Sequence, residues 1–381
     1  MAGCYQKVFM RIITSVRFFM DKSYSPSFFL GANTPVGFYS LFSELYEPEN
    51  GWRLYIIKGG PGTGKSTIMK KVAAECDRRG RYCERIYCSS DPGSLDAVII
   101  PSLKISIADG TSPHVLEPKF PGVSEIIVEL GQFRDDRLLR KNAEEIIRIT
   151  KENSLRHKSS VDFLAAARGV DNDTSSVVLS ALKIERLHKF SEKLALNKLS
   201  VTTDGRGVIR KRFLSALTPE GLVLFRDSFT GLCKSTVVLS DSFGFASSVI
   251  LKILSMKSAE QGLDCILCYC PTSPDYRPEH LIIPSLGLGF FTSNRWHPDD
   301  FADPYKVDCM RFYDSSALYR HKNRIAFNRR SRDELITEAV NKLTAAKSLH
   351  DELEKYYIAA MDFDAMGDYS EKLISEIFEE C

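Results

Sequence analysis

The chain has 381 residues, 44% of them hydrophobic and 26% charged, with 51 basic and 49 acidic side chains. That length and apolar content can fill two or three packed cores and exclude a disordered chain, and the near balance of charge excludes a global field for polyanions. Ten cysteines in a chain this long exclude a small disulfide scaffold.

The N-terminal tract 1–22 is apolar but interrupted by Lys7, Arg11 and Arg17, so it reads as a leader over 1–24, neither a signal peptide nor a bilayer span. With no other long apolar run, a cytoplasmic protein is expected. A strand is predicted at 54–58, a helix at 65–79 with apolar residues at helical spacing, and a second strand at 83–89. A long amphipathic helical stretch follows over 135–199, with Asn172-Asp173 as its clearest internal break. Asp204-Gly205-Arg206-Gly207 marks a linker over 201–211. A strand at 236–239, a helix at 247–261, a strand at 265–270 and a helical tail over 333–380 complete the chain. Cys265, Cys268 and Cys270 read as part of a buried strand rather than a zinc knuckle, since no second Cys or His pair closes the site.

These elements occur twice. Phe29-Leu30, Ala32, Thr34-Pro35 and Gly37 return as Phe213-Leu214, Ala216, Thr218-Pro219 and Gly221. Ile99-Ile100-Pro101-Ser102-Leu103 returns as Ile282-Ile283-Pro284-Ser285-Leu286, and His114 returns as His297. So many landmarks in one register mean an internal duplication. With Gly59, Gly64, Lys65 and Ser66 at phosphate-loop spacing between the first strand and helix, the fold expected is α/β, with two homologous phosphate-loop NTPase-like halves over 25–200 and 212–381. Each has a mainly parallel sheet flanked by helices and ends in a helical extension.

Gly59-Gly60-Pro61-Gly62-Thr63-Gly64-Lys65-Ser66, followed by Thr67, fits the Walker A pattern between a strand and a helix. Glycines there let backbone N–H groups converge on phosphate oxygens at a helix N-terminus. Lys65 is expected on the β- and γ-phosphates and Ser66 on magnesium. In the second half, Asp241 stands on Gly59, Ser247 on Lys65 and Ser248 on Ser66, so that loop is expected to hold no triphosphate. Asp109, ending an apolar strand, is the expected magnesium carboxylate, and Asp91 a γ-phosphate-side group. Both vanish in the second half, at Thr292 and Ser273. Asp96 and His114 keep counterparts there, Glu279 and His297, and read as structural.

The runs FFLGANTPVGFYSLF, IIKGGPGTGKSTIMKK, YCSSDPGSLDAVIIPSLK and AAKSLHDELEKYYIAAMDF resemble an uncharacterised bacterial family of tandem phosphate-loop ATPases, some of whose members are labelled nucleotide kinases. The resemblance implies ATP as ligand and leaves the reaction open. A magnesium-dependent ATPase is the expected function. A small-molecule kinase and an ATP sensor that does not turn over are the alternatives. The expected partners are the nucleoside triphosphate and an unidentified protein, with nucleic acid less favoured. The motif Ala166-Ala167-Arg168 followed by Asp171 matches Ala345-Ala346-Lys347 followed by His350, with no chemistry assigned. The basic run holding Arg324, Arg329, Arg330 and Arg332 is the expected source of a cation reaching the 59–67 loop from the other half.

Overall fold

A computed structural model describes residues 24–199 and 201–379; all of the expected leader but Tyr24 lies outside them. The first half runs β1 (Ser27–Phe29), β2 (Gly31–Thr34), β3 (Gly37–Ser40), β4 (Arg53–Lys58), α1 (Lys65–Arg78), β5 (Glu84–Tyr87), β6 (Leu95–Ile100), β7 (Ile105–Asp109), β8 (Glu125–Glu129), α2 (Asp136–Lys141), α3 (Ala143–Ser180) and α4 (Ile184–Lys198). The second runs β9 (Ile209–Arg212), β10 (Ser215–Thr218), β11 (Gly221–Leu224), α5 (Arg226–Leu232), β12 (Ser235–Ser240), α6 (Phe245–Glu260), β13 (Cys265–Tyr269), β14 (Pro278–Ile283), β15 (Leu288–Ser293), β16 (Tyr305–Asp308), α7 (Ser315–Arg320), α8 (Lys322–Ile358) and α9 (Phe363–Glu379).

The two six-stranded sheets have the same order, β1-β5-β6-β7-β4-β8 and β9-β13-β14-β15-β12-β16. In each, one strand runs against the other five: β6 is antiparallel to β5 and β7, and β14 is antiparallel to β13 and β15. The connections at 88–94 and 101–104 are too short for the crossover that parallel neighbours need. Hairpins β2–β3 and β10–β11 stand outside the sheets. The duplication read from the sequence is thus a duplication of topology, and both sheets are mixed.

Strand periodicity distributes the core. Leu54 and Ile56 of β4 face a cluster that also holds Phe29, Phe213, Ile266 and Phe291 from both halves. Tyr55 and Ile57 face a second cluster with α1. A strand that is apolar on both faces belongs at the centre of a covered sheet.

The helical arms cross over. Leu187, Leu194 and Ala195 of α4 pack on the second half's core with α6. Leu373, Ile377 and Phe378 of α9 pack on the first half's core with α1. The chain seals the exchange with mirrored backbone hydrogen bonds at an offset of 179. Asp135 N–H donates to Ala360 C=O at 2.8 Å, and Asp314 N–H donates to Ala181 C=O at 2.8 Å. The expected break at Asn172-Asp173 does not occur, because α3 runs through it. Asp173 is held there by Arg324 and Asn328 of α8, a tertiary pairing that outweighs weak local helix preference. The segment 201–208 lies along the C-terminal end of α6, with Gly207 N–H donating to Ala259 C=O at 2.8 Å. Among the described residues no helix is long and apolar enough to cross a membrane.

Candidate functional site

The 59–67 loop leaves the buried end of β4 and enters α1. Gly62 and Gly64 take left-handed φ angles of 66° and 86°, which a side chain would resist. The N-cap of α1 is Gly64, which makes no side-chain capping bond, the kind of helix start whose N–H groups are open to an anion. Thr63 Oγ1 donates to Gly60 C=O at 2.9 Å and braces the turn. Pro61 is half-buried beside it, and Thr67 is exposed on the first turn of α1.

Lys65 folds back over the loop. Its Nζ donates to the carbonyls of Gly59 at 3.2 Å and Gly60 at 2.7 Å, and lies 3.6 Å from Asp109 Oδ2. Strand register explains that proximity, because β7 runs parallel beside β4 with Asp109 opposite Ile57. Asp109 Oδ1 accepts from Thr111 N–H at 2.8 Å and from its hydroxyl at 2.6 Å, which turns Oδ2 toward the lysine. Ser66 Oγ accepts from Leu95 N–H at 2.9 Å. Asp91 stands in the connection between β5 and β6. Its Oδ2 accepts from Ser94 Oγ at 2.6 Å, and its Oδ1 lies 3.6 Å from Lys347 Nζ on the crossing arm. Of the two candidate carboxylates, Asp109 adjoins the loop lysine and Asp91 meets the arm.

That arm covers the loop. Gly62 N–H donates to Glu354 Oε1 at 3.0 Å, and a Cβ on Gly60 would stand 2.6 Å from the Tyr357 ring. Phe363 and Met366 flank Gly64. His350, 3.5 Å from Glu354, holds the Glu354 carboxyl below its usual pKa against the opposing effect of burial. The loop therefore receives an ionised carboxylate. The expectation that Arg324, Arg329, Arg330 or Arg332 supplies this loop with a cation is corrected. Arg324 pairs with Asp173 and Arg332 with Asp171. At 1.5 Å per residue, Arg332 lies about 33 Å along α8 from Glu354. The arm brings Lys347 to the first half, 3.6 Å from Asp91.

The second half is an internal control. Buried helix positions keep the offset of 182: Ile68 with Ile250, Met69 with Leu251, Val72 with Leu254. Yet α6 starts at Phe245, the counterpart of Thr63, so the loop is shortened. Asp241 fills the place of an anion. Its Oδ2 accepts from Ser247 N–H at 2.9 Å and its Oδ1 from Phe243 N–H at 3.1 Å. The Tyr313 hydroxyl donates to Asp241 and accepts from Ala246 N–H at 2.9 Å. Burial and Asp241 push the Tyr313 phenol well up, so it stays neutral. The helix N-terminus left uncapped in α1 is closed in α6 by the chain's own carboxylate.

Two buried clusters lie beside these loops, Cys88–Asp96–His114 and Glu279–His280–His297, each with its ligand atoms within 4.8 Å of one another. His114 Nε2 lies 3.1 Å from Asp96 Oδ2, and the ring stacks on Phe42 at 4.7 Å. Burial lowers the His114 pKa, but Asp96 more than offsets it, and the net shift is upward. His297 is shifted down by burial, with Arg226 and Arg277 adding to the effect and Glu279 opposing it. Both halves keep a carboxylate–imidazole pair, Asp96 with His114 and Glu279 with His297. Cys265 and Cys268 face different clusters across β13, so they cannot share a metal.

No family model, curated protein or solved structure matches the chain. The resemblance to tandem-loop ATPases rests on the quoted motifs. Sequence reasoning missed Glu354 and Tyr357 as loop neighbours and left Lys347 without a role. The signal was the repeated Ala-Ala-Arg/Lys motif, whose cation in each arm meets the other half: Lys347 lies near Asp91, and Arg168 lines a cavity with Gly244.

Proposed function

We propose that the first half binds magnesium–ATP on the 59–67 loop and hydrolyses it, as a phosphate-loop NTPase. The second half acts as a structural and regulatory partner whose arm gates the loop. The observation that carries this reading is Lys65 held 3.6 Å from Asp109 at the root of an uncapped helix. Lys65 would turn from the loop carbonyls to the β- and γ-phosphates. The uncapped N–H groups of α1 would bind phosphate oxygens. Ser66 and Asp109 offer hard oxygen ligands suited to magnesium, which would supply charge neutralisation between the β- and γ-phosphates. Tyr357 and the start of α9 would exclude water from the closed site.

Asp109→Ala is expected to slow phosphate release on the order of 10²-fold or more, with magnesium-free nucleotide binding largely kept. Release from ATP alone, compared with ADP formation across a panel of nucleosides and small metabolites, separates hydrolysis from a kinase reaction. If Asp91→Ala abolishes release and Asp109→Ala does not, the assignment of the carboxylates is reversed.

In this reading Glu354 competes with phosphate for the Gly62 N–H. Its side chain is 33% exposed, so the competing bond is discounted to about 1 kcal/mol. Glu354→Ala is therefore expected to tighten nucleotide binding by about fivefold, read by fluorescent-nucleotide titration. Unchanged affinity would contradict the gating role. The seat of Glu354 and Tyr357 on the loop also favours a second reading, an ATP sensor in which binding displaces the arm without turnover. An absence of phosphate release together with tight binding would select it.

A further inference from the structure

The eroded half keeps a cavity of about 110 Å³ beside its shortened loop. Five arginines line it, Arg168, Arg277, Arg295, Arg329 and Arg332, against two acids, Asp171 and Glu279. Asp171 is shared, 3.7 Å from Arg277 and 3.0 Å from Arg332. Arg295 pairs with Asp333, and Glu279 lies 3.8 Å from His297. Arg277 also meets the Cys270 thiol at 2.9 Å, the Thr272 hydroxyl at 3.3 Å and the Phe245 ring at 5.9 Å. Arg168 Nη1 and Arg332 Nε are buried without a hydrogen-bond acceptor. Guanidinium N–H groups taken from water without an acceptor are costly, and the cost falls when an oxyanion enters.

The comparison between halves explains why the cavity is open. At the arm offset of 179, Arg168 corresponds to Lys347 and Ser175 to Glu354. The acid that sits on the first loop is thus replaced here by a small hydroxyl. Asp241 already occupies the helix N-terminus, so a triphosphate cannot bind as in the first half. What remains is a cationic recess walled by Phe243, Phe245, Trp296, Leu217 and Leu222. A 150 Å³ apolar cavity takes benzene, so this recess suits an anionic head and part of an apolar body.

The geometry points to a second ligand site in this cavity, for a small molecule with a phosphoryl or carboxylate head and an apolar or planar body, held by Arg168, Arg277 and Arg332. The head takes the unpartnered N–H groups of Arg168 and Arg332 in the fork geometry arginine offers, and the body lies against Phe243, Phe245 or Trp296. The site stands apart from the ATP reading, because its residues are distinct from those of the 59–67 loop.

The test uses the full chain carrying Lys65→Ala, so that nucleotide binding at the first loop does not contribute. Thermal denaturation is followed with AMP, inorganic phosphate, benzoate and citrate, each at about 10 mM. At least one probe is expected to raise Tm by about 2–4 °C, as saturating binding to the folded state requires. The phosphate and carboxylate arms show which head the site prefers. Adding Arg168→Gln should abolish that rise, and should itself raise the ligand-free Tm by removing a half-buried charge whose Nη1 lacks an acceptor. No rise with any probe overturns the site. So does a rise that survives Arg168→Gln undiminished, or a ligand-free Tm lowered by that change.

Discussion

Lys65→Ala is expected to cost nucleotide affinity on the order of 10²–10⁴-fold. The lysine is the cation nearest the loop carbonyls, bonded to Gly59 and Gly60 and 3.6 Å from Asp109. Swung onto a triphosphate, it would make charge-assisted hydrogen bonds to two phosphates, each worth about 1.5–3 kcal/mol. Its removal also leaves Asp109 facing phosphate without an intervening positive charge. The effect belongs in affinity, before any turnover. Equilibrium binding of a fluorescent ATP analogue measures it, with circular dichroism to confirm that the variant folds. Affinity within about threefold of the unaltered chain would remove the loop as the binding site.

The second large effect concerns stability. Glu84 of β5 and Arg212 of β9 meet at 2.8 Å across the two halves, with side chains 3% and 1% exposed. Glu44 also lies 3.8 Å from Arg212. Burial lowers the Arg212 pKa, but Glu84 and Glu44 outweigh it, so the guanidinium is charged. Removing Glu84 leaves the buried guanidinium with the more distant and more exposed Glu44 as counter-ion. Glu84→Ala is therefore expected to lower unfolding free energy by about 3–5 kcal/mol in urea denaturation. The double change Glu84→Ala with Arg212→Met should recover much of the loss, because a buried pair contributes little net stability over an apolar replacement. A loss under about 1 kcal/mol would mean that water reaches the pair.

Much of the fold was legible because apolar periodicity and turn residues carry it locally. The strand at β4, the helix at α1 and the repeat of Phe29-Leu30 at Phe213-Leu214 could be read directly. The antiparallel course of β6 depends on short connections that the sequence leaves unmarked. The exchange of arms was hidden for a different reason. The apolar stripe of α9, with Leu373 and Ile377, states that a partner exists but not which half provides it. The same ignorance misplaced the trans cation. Charge density drew attention to Arg324–Arg332, whereas position along a helix of known rise carries Lys347, not these arginines, to the first half beside Asp91. The erosion of the second loop was legible in the lost lysine. Its closure by Asp241 and Tyr313 was not, because Tyr313 comes from a segment 72 residues away.

One measurement bears most directly on the claim of a single working site. Titration calorimetry of magnesium–ATP into the full chain should give one nucleotide per chain and no binding to the Lys65→Ala variant. Two equivalent sites per chain, or binding that survives Lys65→Ala, would contradict the account.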